Sequence, residues 1–406
     1  MLQTKSKTIP AKPVAAGSGR LLSLDVFRGA TIAAMMLVNN PGSWDSVYGQ
    51  LDHAEWNGWT FTDIIFPFFL WIVGVAIPLS TTKRLARGES RTTLFFHVLR
   101  RALIIFGLGL FLALFSSLIN VSYAKAGGFG PWFSEVAAAI RIPGVLQRIA
   151  VCYFIASTIF LCAKLRGQIA WLIGLLAGYW LLMKCAPVPG HAPWTLTKEG
   201  NFSAYVDGIV LGKHTWHALP FDPEGIVSTL PAIATCLFGI LAGQLLQMKR
   251  SLEQKTVWLF VAGNGLMLAG TVMNIWLPIN KNLWTSSYSV FMAGLAMDIF
   301  AVCYWLVEVK GYQRWAKPFA IYGMNAITVF MISGILGRIS LEVKVRDTTG
   351  TVTALKSYLF QTYFNTPLAQ MGFDPRICSL SWAVAYTLGL FLIAYVMYRR
   401  KWLVKF

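Results

Sequence analysis

The chain has 406 residues, of which 56% are hydrophobic and only 13% are charged. A soluble domain carries about 25% charged residues, so this composition excludes an ordinary soluble protein and indicates one that contacts lipid. The net charge of +18 does not indicate a nucleic-acid partner, because the basic residues cluster at alternate ends of the apolar stretches, as the positive-inside rule predicts.

Apolar stretches close to the spanning length recur along the whole chain, and they predict an all-α integral membrane protein, a polytopic helical bundle of about ten transmembrane helices. Lipid is therefore an expected partner. The predicted spans are 22–40, 60–80, 98–119, 143–163, 169–186, 226–247, 256–278, 286–309, 318–340 and 377–398.

We expect one transmembrane domain, 21–406, after a flexible cytoplasmic leader, 1–20. The leader is basic and has no apolar core, so it is not a cleaved signal peptide. Basic residues in the leader and in Arg399–Lys405 predict cytoplasmic termini and therefore an even number of spans. The apolar segment 355–371 is then predicted to be an outer-surface or re-entrant helix. The loop 187–225 is predicted to be large and external.

The first outer loop contains no Lys or Arg but carries His53, close to Trp56 and Asn57. Histidine is the side chain that exchanges a proton near neutral pH. Asp63, at the start of the second span, would orient the ring if the loop folds back. The alternative interpretation is a solvated histidine in a surface loop. The position beside polar and aromatic side chains at a membrane boundary favours the functional interpretation.

Polar side chains inside spans are costly and therefore indicate function. Gln147 and Arg148 lie one to two turns inside the fourth span, deeper than Arg141 at its boundary. An arginine at that depth needs an anion, either Glu224 or a phosphate or carboxylate of a ligand. Arg148 is therefore expected to matter more than Arg141. Further candidates at span ends or inside spans are Asn39, Asn40, Asn282, Trp284, Asn325 and Asp298.

No metal site is expected. His214 and His217 have an i, i+3 spacing, but no third ligand lies near them in the sequence. The six cysteines lie in or beside apolar stretches without a CxxC motif, which is typical of core residues.

Seven segments occur in a characteristic order: SLDVFRG, VNN, HAEWNGWTFTDIIFPFF, RIPGVLQR, FDPEG, NLWTSSY and GMNAI. In this order they resemble the heparan-α-glucosaminide N-acetyltransferase family, which includes a lysosomal enzyme and bacterial members of the NagX type. The resemblance runs from about Leu22 to Met397. It implies transfer of an acetyl group from acetyl-CoA to the amine of a glucosamine unit, and it implies a homodimer.

The resemblance also implies roles for single residues. The family's catalytic histidine lies in an HAxWNG motif, which corresponds to His53, and we expect Asp63 to orient it and Asn39, Asn40 or Asn57 to stabilise an oxyanion. The expected contacts of acetyl-CoA are Arg148, Gln147, Arg141, Asn325, Arg100 and Arg101. The expected contacts of the sugar are Trp56, Glu224, Asn282 and Trp284.

Acetyl-CoA is made in the cytoplasm, whereas His53 is predicted at the outer face. The first span rises about 21 Å between Asp25 and Asn39, a distance of the order of an extended pantetheine arm. We therefore expect the nucleotide at the inner surface, with the thioester reaching outwards. The chain begins shortly before SLDVFRG, so a small amino sugar or cell-wall fragment is the expected acceptor, at a bacterial inner membrane.

Two alternatives remain open from the sequence. A secondary transporter of amino sugars would use Asp298 as its coupling site, and an O-acetyltransferase would modify a hydroxyl of a surface glycan. Within the N-acetyltransferase interpretation, His53 is either a general base or a transient acetyl carrier.

Overall fold

The structure is a computed structural model that describes residues 21–121, 127–216, 221–346 and 350–402. The predicted leader, 1–20, lies outside the described residues, as do His217 and Lys405. The end of the bundle that carries His53 is called the outer end below, and the end that carries the basic clusters is called the inner end.

Helices make up most of the described ranges, which contain one short antiparallel ribbon of β1 (Lys344–Arg346) and β2 (Val352–Ala354). The helices are α1 (Leu22–Val38), α2 (Phe61–Ala86), α3 (Arg91–Asn120), α4 (Phe129–Ala139), α5 (Val145–Cys162), α6 (Leu165–Cys185), α7 (Phe202–Val210), α8 (Thr229–Gln247), α9 (Leu252–Met273), α10 (Ser286–Tyr304), α11 (Ala316–Met324), α12 (Ala326–Glu342), α13 (Leu355–Phe360), α14 (Thr366–Gln370) and α15 (Pro375–Arg399). A π-helical segment, Trp305–Val309, extends α10, and another, Gln361–Asn365, joins α13 to α14.

Eight of the described helices are long and apolar enough to cross a membrane, namely α2, α3, α5, α6, α8, α9, α10 and α15. The pair α11 and α12 passes the same test as one broken span. These helices confirm the predicted all-α polytopic membrane fold. The first predicted span corresponds to α1, whose 17 residues rise only about 26 Å.

The ninth predicted span differs from a regular helix, because it breaks at Asn325 and its two halves are bent by 76°. Hydropathy does not reveal this break, since a single residue leaves the helical conformation. Asn325 donates a hydrogen bond from Nδ2 to the carbonyl of Trp402 at 3.1 Å. Interrupted backbone at membrane depth is tolerated where protein or a cavity surrounds it.

The centre of the bundle is formed by α2, α8 and α10, whose residues are mostly buried, whereas α3, α6, α9 and α15 are mostly exposed. Their exposed apolar side chains suit contact with lipid. In the centre, the ring of Phe27 packs against those of Trp71 and Phe300, with centroids 6.0 and 5.7 Å apart.

Two helix pairs approach each other closely at glycines. A Cβ atom on Gly29 of α1 would lie 1.7 Å from the carbonyl oxygen of Phe319 in α11. A Cβ on Gly74 of α2 would lie 2.0 Å from the carbonyl oxygen of Cys236 in α8. Glycine at these positions lets the backbones pack directly, as small residues do in membrane bundles. The close contact between α2 and α8 holds α2 in the centre of the bundle. The first turn of α2 lies at the outer end.

The predicted external loop, 187–225, packs over the loop that carries His53. Trp56 donates from Nε1 to the carbonyl of Leu196 at 2.7 Å, and its ring lies 5.3 Å from that of Phe221. Asp207 of α7 is fully buried and accepts hydrogen bonds from the backbone N–H groups of Ile226 at 2.9 Å and Asp222 at 3.3 Å. These contacts join the loop to the start of α8.

The segment predicted as an outer-surface or re-entrant helix is helical from α13 through α14. Phe360 and Phe364 pack edge-on against Trp382 of α15, with centroids 6.3 and 5.5 Å apart. Its position relative to the membrane surface stays a prediction.

Candidate active site

His53 is held by a buried carboxylate at the start of α2. The His53 side chain is 47% exposed, whereas that of Asp63 is 1% exposed, and His53 Nδ1 lies 2.6 Å from Asp63 Oδ1. Because an ionised carboxylate only accepts hydrogen bonds, Nδ1 donates and Nε2 keeps its lone pair. The ring therefore presents Nε2 as a proton acceptor. The loop therefore folds back towards α2, which is what the sequence analysis required for Asp63 to orient the His53 ring.

Asp63 also forms the first turn of α2 through a capping box with Thr60. Its Oδ2 accepts hydrogen bonds from the backbone N–H groups of Thr60 and Ala54, both at 3.0 Å, and from the Thr60 hydroxyl at 3.1 Å. These donors and the positive end of the helix dipole stabilise the carboxylate. With Oδ2 occupied, Oδ1 faces His53, so one side chain both begins α2 and fixes the imidazole.

Lys281 completes the group from a distant part of the sequence. Its Nζ lies 2.9 Å from Nδ1 and 3.1 Å from Nε2 of His53, and 3.5 Å from Oδ1 of Asp63. Only 16% of its side chain is exposed. Burial lowers the pKa of Lys281 below its usual range, and the carboxylates of Asp63 and Glu224 oppose that shift.

Lys281 is placed by a tight turn between α9 and α10. The side chain of Asn280 is buried, accepts a hydrogen bond from the N–H of Leu283 at 2.9 Å, and donates to Oδ1 of Asn57 at 3.2 Å. The N–H of Gly58 donates to the carbonyl of Ile279 at 2.7 Å. The turn is therefore joined to the loop that carries His53, and Asn57 lies at this junction.

Trp284 and Arg148 lie beneath the turn, in the core. Trp284 is 1% exposed, has the uncommon φ of 48° and donates from Nε1 to Thr235 Oγ1 at 3.2 Å. The guanidinium carbon of Arg148 lies 5.2 Å from the Trp284 ring centroid. Arg148 Nη2 donates to the carbonyl of Gly225 at 2.9 Å and to Ser228 Oγ at 2.5 Å. Its Nε and Nη1 have no hydrogen-bond partner among the described residues.

Glu224, which the sequence offers as the partner of Arg148, contacts Arg141 instead. Arg141 also binds Asp222 with two nitrogens, Nε to Oδ2 at 2.8 Å and Nη2 to Oδ1 at 2.5 Å. The physical reason is depth, since both carboxylates reach the boundary where Arg141 lies. Arg148, one helical turn deeper, forms its hydrogen bonds with a backbone carbonyl and a hydroxyl.

An inner cavity of about 410 Å³ lies between α2, α3, α5 and the break between α11 and α12. Its polar lining includes Arg28, Arg101 and Asn325. Arg28 forms an ion pair with Asp25 at 3.0 Å, and the Arg101 guanidinium lies 5.2 Å from the ring centroid of Tyr153. Two guanidinium groups in one cavity suit the binding of phosphate.

An outer cavity of about 700 Å³ continues along the seam between α3, α5 and α12. Arg141, Gln147 and Arg338 contribute to its polar lining. Leu146 lines both cavities, so its side chain lies between them. The two cavities thus lie one after the other between the inner end of the bundle and the ion pairs of Arg141 with Asp222 and Glu224 at the outer end.

The four remaining predicted site residues, like most of the others, have no described contact with His53. Asn39 is exposed at the end of α1, and Asn40 donates to the carbonyl of Met36 at 2.8 Å. Arg100 is exposed beside apolar residues of α3, away from the inner cavity. Asn282 is half-buried next to Lys281 in the turn. Their functional roles stay predictions.

The described residues contain no group of three His, Cys, Asp or Glu side chains arranged for a metal ion. His214 Nδ1 lies 2.7 Å from the carbonyl of Ile140. Since His217 lies outside the described residues, the predicted absence of a metal site stays a prediction.

Sequence reasoning missed Lys281 and Asp222. Lys281 is 228 residues from His53 in the chain, so no local pattern joins them. One signal was available, because Lys281 is a basic residue in a short outer loop, against the positive-inside rule. Asp222 lies two residues before Glu224 in FDPEG. Two carboxylates so close in the sequence were the available signal of a shared basic partner.

A family profile described as "Heparan-alpha-glucosaminide N-acetyltransferase, catalytic" matches residues 20–259, more than half of the chain and all of the segment from α1 to α8. The chain belongs to this family. The matched region includes His53, Asp63, Arg141 and Arg148, whereas Lys281 lies beyond it. This family match confirms the resemblance that the ordered sequence motifs indicate.

Two curated relatives match most of the chain. The human heparan-alpha-glucosaminide N-acetyltransferase is 30% identical over 94% of this chain and 59% of its own length. The mouse protein of the same name is 28% identical over 95% of this chain and 60% of its own length. The chain thus spans about three fifths of the length of these relatives.

Proposed function

We propose that the protein transfers an acetyl group from acetyl-CoA to the amine of glucosamine or of a glucosamine-containing sugar. The observation that carries the proposal is the 2.6 Å contact between His53 and the buried Asp63, found in a chain of this family. It leaves the lone pair of Nε2, on a half-exposed imidazole, as the proton acceptor, with Lys281 Nζ 3.1 Å away.

An amine attacks a thioester only without its extra proton, so the reaction needs a base. His53 Nε2 takes the proton, and Asp63 stabilises the imidazolium through Nδ1. The tetrahedral intermediate carries an oxyanion that needs hydrogen-bond donors. Of the three predicted asparagines, Asn57 is best supported as a donor, because its Oδ1 is engaged by Asn280 and its Nδ2 is left to donate.

The cavities support the proposed path of acetyl-CoA. Arg28, Arg101 and Asn325 suit the nucleotide phosphates at the inner end. The pantetheine arm then follows the seam past Leu146 and Gln147, with the thioester at the outer end. Arg148 adds a buried positive charge behind the outer part of the path. Its Nε and Nη1, which have no hydrogen-bond partner within the described part of the chain, are the groups that a ligand carbonyl or phosphate would satisfy.

The acceptor would enter from the exposed side of His53. Trp56 supplies an aromatic edge, and Glu224, whose carboxylate is paired with Arg141, is the proposed acidic contact of the sugar. Trp284 is fully buried, so its proposed role is to support the turn of Lys281 beneath the sugar. A small amino sugar, a bacterial inner membrane and a homodimer belong to the same proposal.

The test uses protein purified in detergent, acetyl-CoA labelled in the acetyl group, and glucosamine. We expect labelled N-acetylglucosamine that resists hydroxylamine, as an amide does. A hydroxylamine-labile ester would indicate the O-acetyltransferase instead. Glucosamine uptake by proteoliposomes without any acetylated product would overturn the proposal in favour of a transporter.

A further inference from the structure

Lys281 places an amine where the acceptor amine has to be. A nitrogen nucleophile must approach His53 Nε2 within hydrogen-bond distance to lose its proton. Lys281 Nζ lies 3.1 Å from that atom. The protein thus holds one of its own primary amines beside the proposed base, at the distance required of the sugar.

The surroundings of Lys281 favour reactivity. Its side chain is mostly buried, and burial lowers its pKa, although Asp63 and Glu224 favour the charged form. A lysine in such a setting loses its proton more readily than one in water and becomes a nucleophile.

We propose that Lys281 is acetylated by the protein's own active site when acetyl-CoA is bound and no acceptor sugar is present. The inference rests on the proposed acetyltransferase function. The Nζ lone pair attacks the thioester carbonyl carbon, an N–C bond forms and the C–S bond breaks. The proton lost by Nζ passes to His53 Nε2 and then to the departing thiolate, which leaves as CoA.

Acetylation of Lys281 inactivates the site. The amide carries no charge, so Asp63 loses the cation 3.5 Å from its Oδ1. The acetyl group also fills the space beside His53 Nε2 that the sugar amine needs. A bound sugar keeps that space occupied, so the acceptor protects Lys281.

The experiment incubates the purified full chain with labelled acetyl-CoA alone and maps the label by peptide mass spectrometry after hydroxylamine treatment. Hydroxylamine removes acetyl from imidazole and leaves it on lysine. We expect label on Lys281 and little on Lys198, an outer-end lysine whose Nζ lies 5.9 Å from the Trp56 ring centroid. His53→Ala should lower labelling of Lys281 by about 100-fold or more, the lower end of the contribution of a general base. It should leave Lys198 unchanged.

Three results would overturn the proposal: no label on Lys281, equal labelling of Lys281 and Lys198, or full labelling in His53→Ala.

Glucosamine added with acetyl-CoA should protect Lys281. Preincubation with acetyl-CoA should reduce the later activity of the wild type but not that of Lys281→Arg relative to its own starting rate. Acetylation of glucosamine is measured in parallel. Sugar product without label on Lys281 refutes the inference alone, whereas the absence of both refutes the proposed function as well.

Discussion

The role of His53 depends on its Nε2 atom, and substitutions that remove this atom test it. His53→Ala should lower acetyl transfer to glucosamine by about 10²–10⁴-fold, the range for a lost general base. The melting temperature should hardly change, because the side chain is half-exposed. His53→Asn keeps a polar side chain but cannot shuttle the proton, so it should be equally impaired. Near-wild-type rates in both variants would show that His53 is a solvated surface residue and not the general base.

The same variants distinguish the two chemical routes. If His53 carries the acetyl group, wild-type protein incubated with labelled acetyl-CoA gains a hydroxylamine-labile label that neither variant shows. Direct transfer gives no labile label, although activity still depends on His53.

Arg141 and Arg148 should differ in what their loss damages. Arg141→Met leaves Asp222 and Glu224 without their partner, and breaking a buried ion pair costs about 3–5 kcal/mol. Arg148 has no carboxylate in contact among the described residues, so Arg148→Met should cost less stability and instead weaken binding of acetyl-CoA. Thermal unfolding and acetyl-CoA binding measured on both variants check the prediction. A larger loss of stability in Arg148→Met, with normal binding, would contradict it.

For stability, this ranking differs from the expectation from the sequence, in which depth alone made Arg148 the more important residue. Depth could be predicted from hydropathy. The identity of the partners could not, because Asp222 and Glu224 lie about 80 residues away, at the end of an external loop.

At the scale of elements, the 187–225 loop should respond to pH through Asp207. Burial raises the pKa of Asp207 to about 6 from its ordinary value of 3.8. The hydrogen bonds that the carboxylate accepts from two backbone N–H groups oppose this shift. The folded state therefore favours the protonated form. The contribution to stability is fully present below pH 3.8 and is lost as the pH rises through 6.

Asp207→Asn removes this dependence, because the amide does not titrate. Relative to the wild type, the variant should gain up to about 3 kcal/mol between pH 4 and pH 7, from 1.36 kcal/mol for each pKa unit. Thermal unfolding in detergent across this range measures the difference, with Asp45→Asn as an exposed control that should follow the wild type. A constant difference between Asp207→Asn and the wild type would contradict the assignment.

Leu146 tests whether the two cavities serve one path. Leu146→Trp fills the junction between them and should reduce the affinity for acetyl-CoA and the rate of acetyl transfer. Overpacking also costs about 1–3 kcal/mol of stability, so Leu146→Met, which conserves volume, is the matched control. Normal kinetics in a folded Leu146→Trp protein would show that the donor does not pass this side chain.

Most of the long helices could be predicted from the sequence, because their apolar stretches are long enough to span a membrane. The break at Asn325 could not, since the flanking residues remain apolar and helical. The proximity of His53 and Asp63 was foreseeable within one short segment. The addition of Lys281 was not, because it depends on the packing of the turn before α10 against the loop at Asn57.

At the scale of the whole molecule, the proposed function divides the reaction between the two sides of the membrane, with the donor at the inner cavity and the acceptor at His53. Donor and acceptor would enter from opposite ends, with the bundle as the barrier between them. The cytoplasmic placement of both termini stays a prediction that C-terminal reporter fusions can test.

The most direct test of the central claim reconstitutes the protein into sealed vesicles, in any mixture of orientations. Labelled acetyl-CoA is enclosed in the lumen and glucosamine is added outside, or both are supplied only outside. We predict labelled N-acetylglucosamine when donor and acceptor are in opposite compartments and none when both are outside, because each molecule reaches the site from its own end. Efficient transfer with both outside, and none across the vesicle wall, would contradict the account.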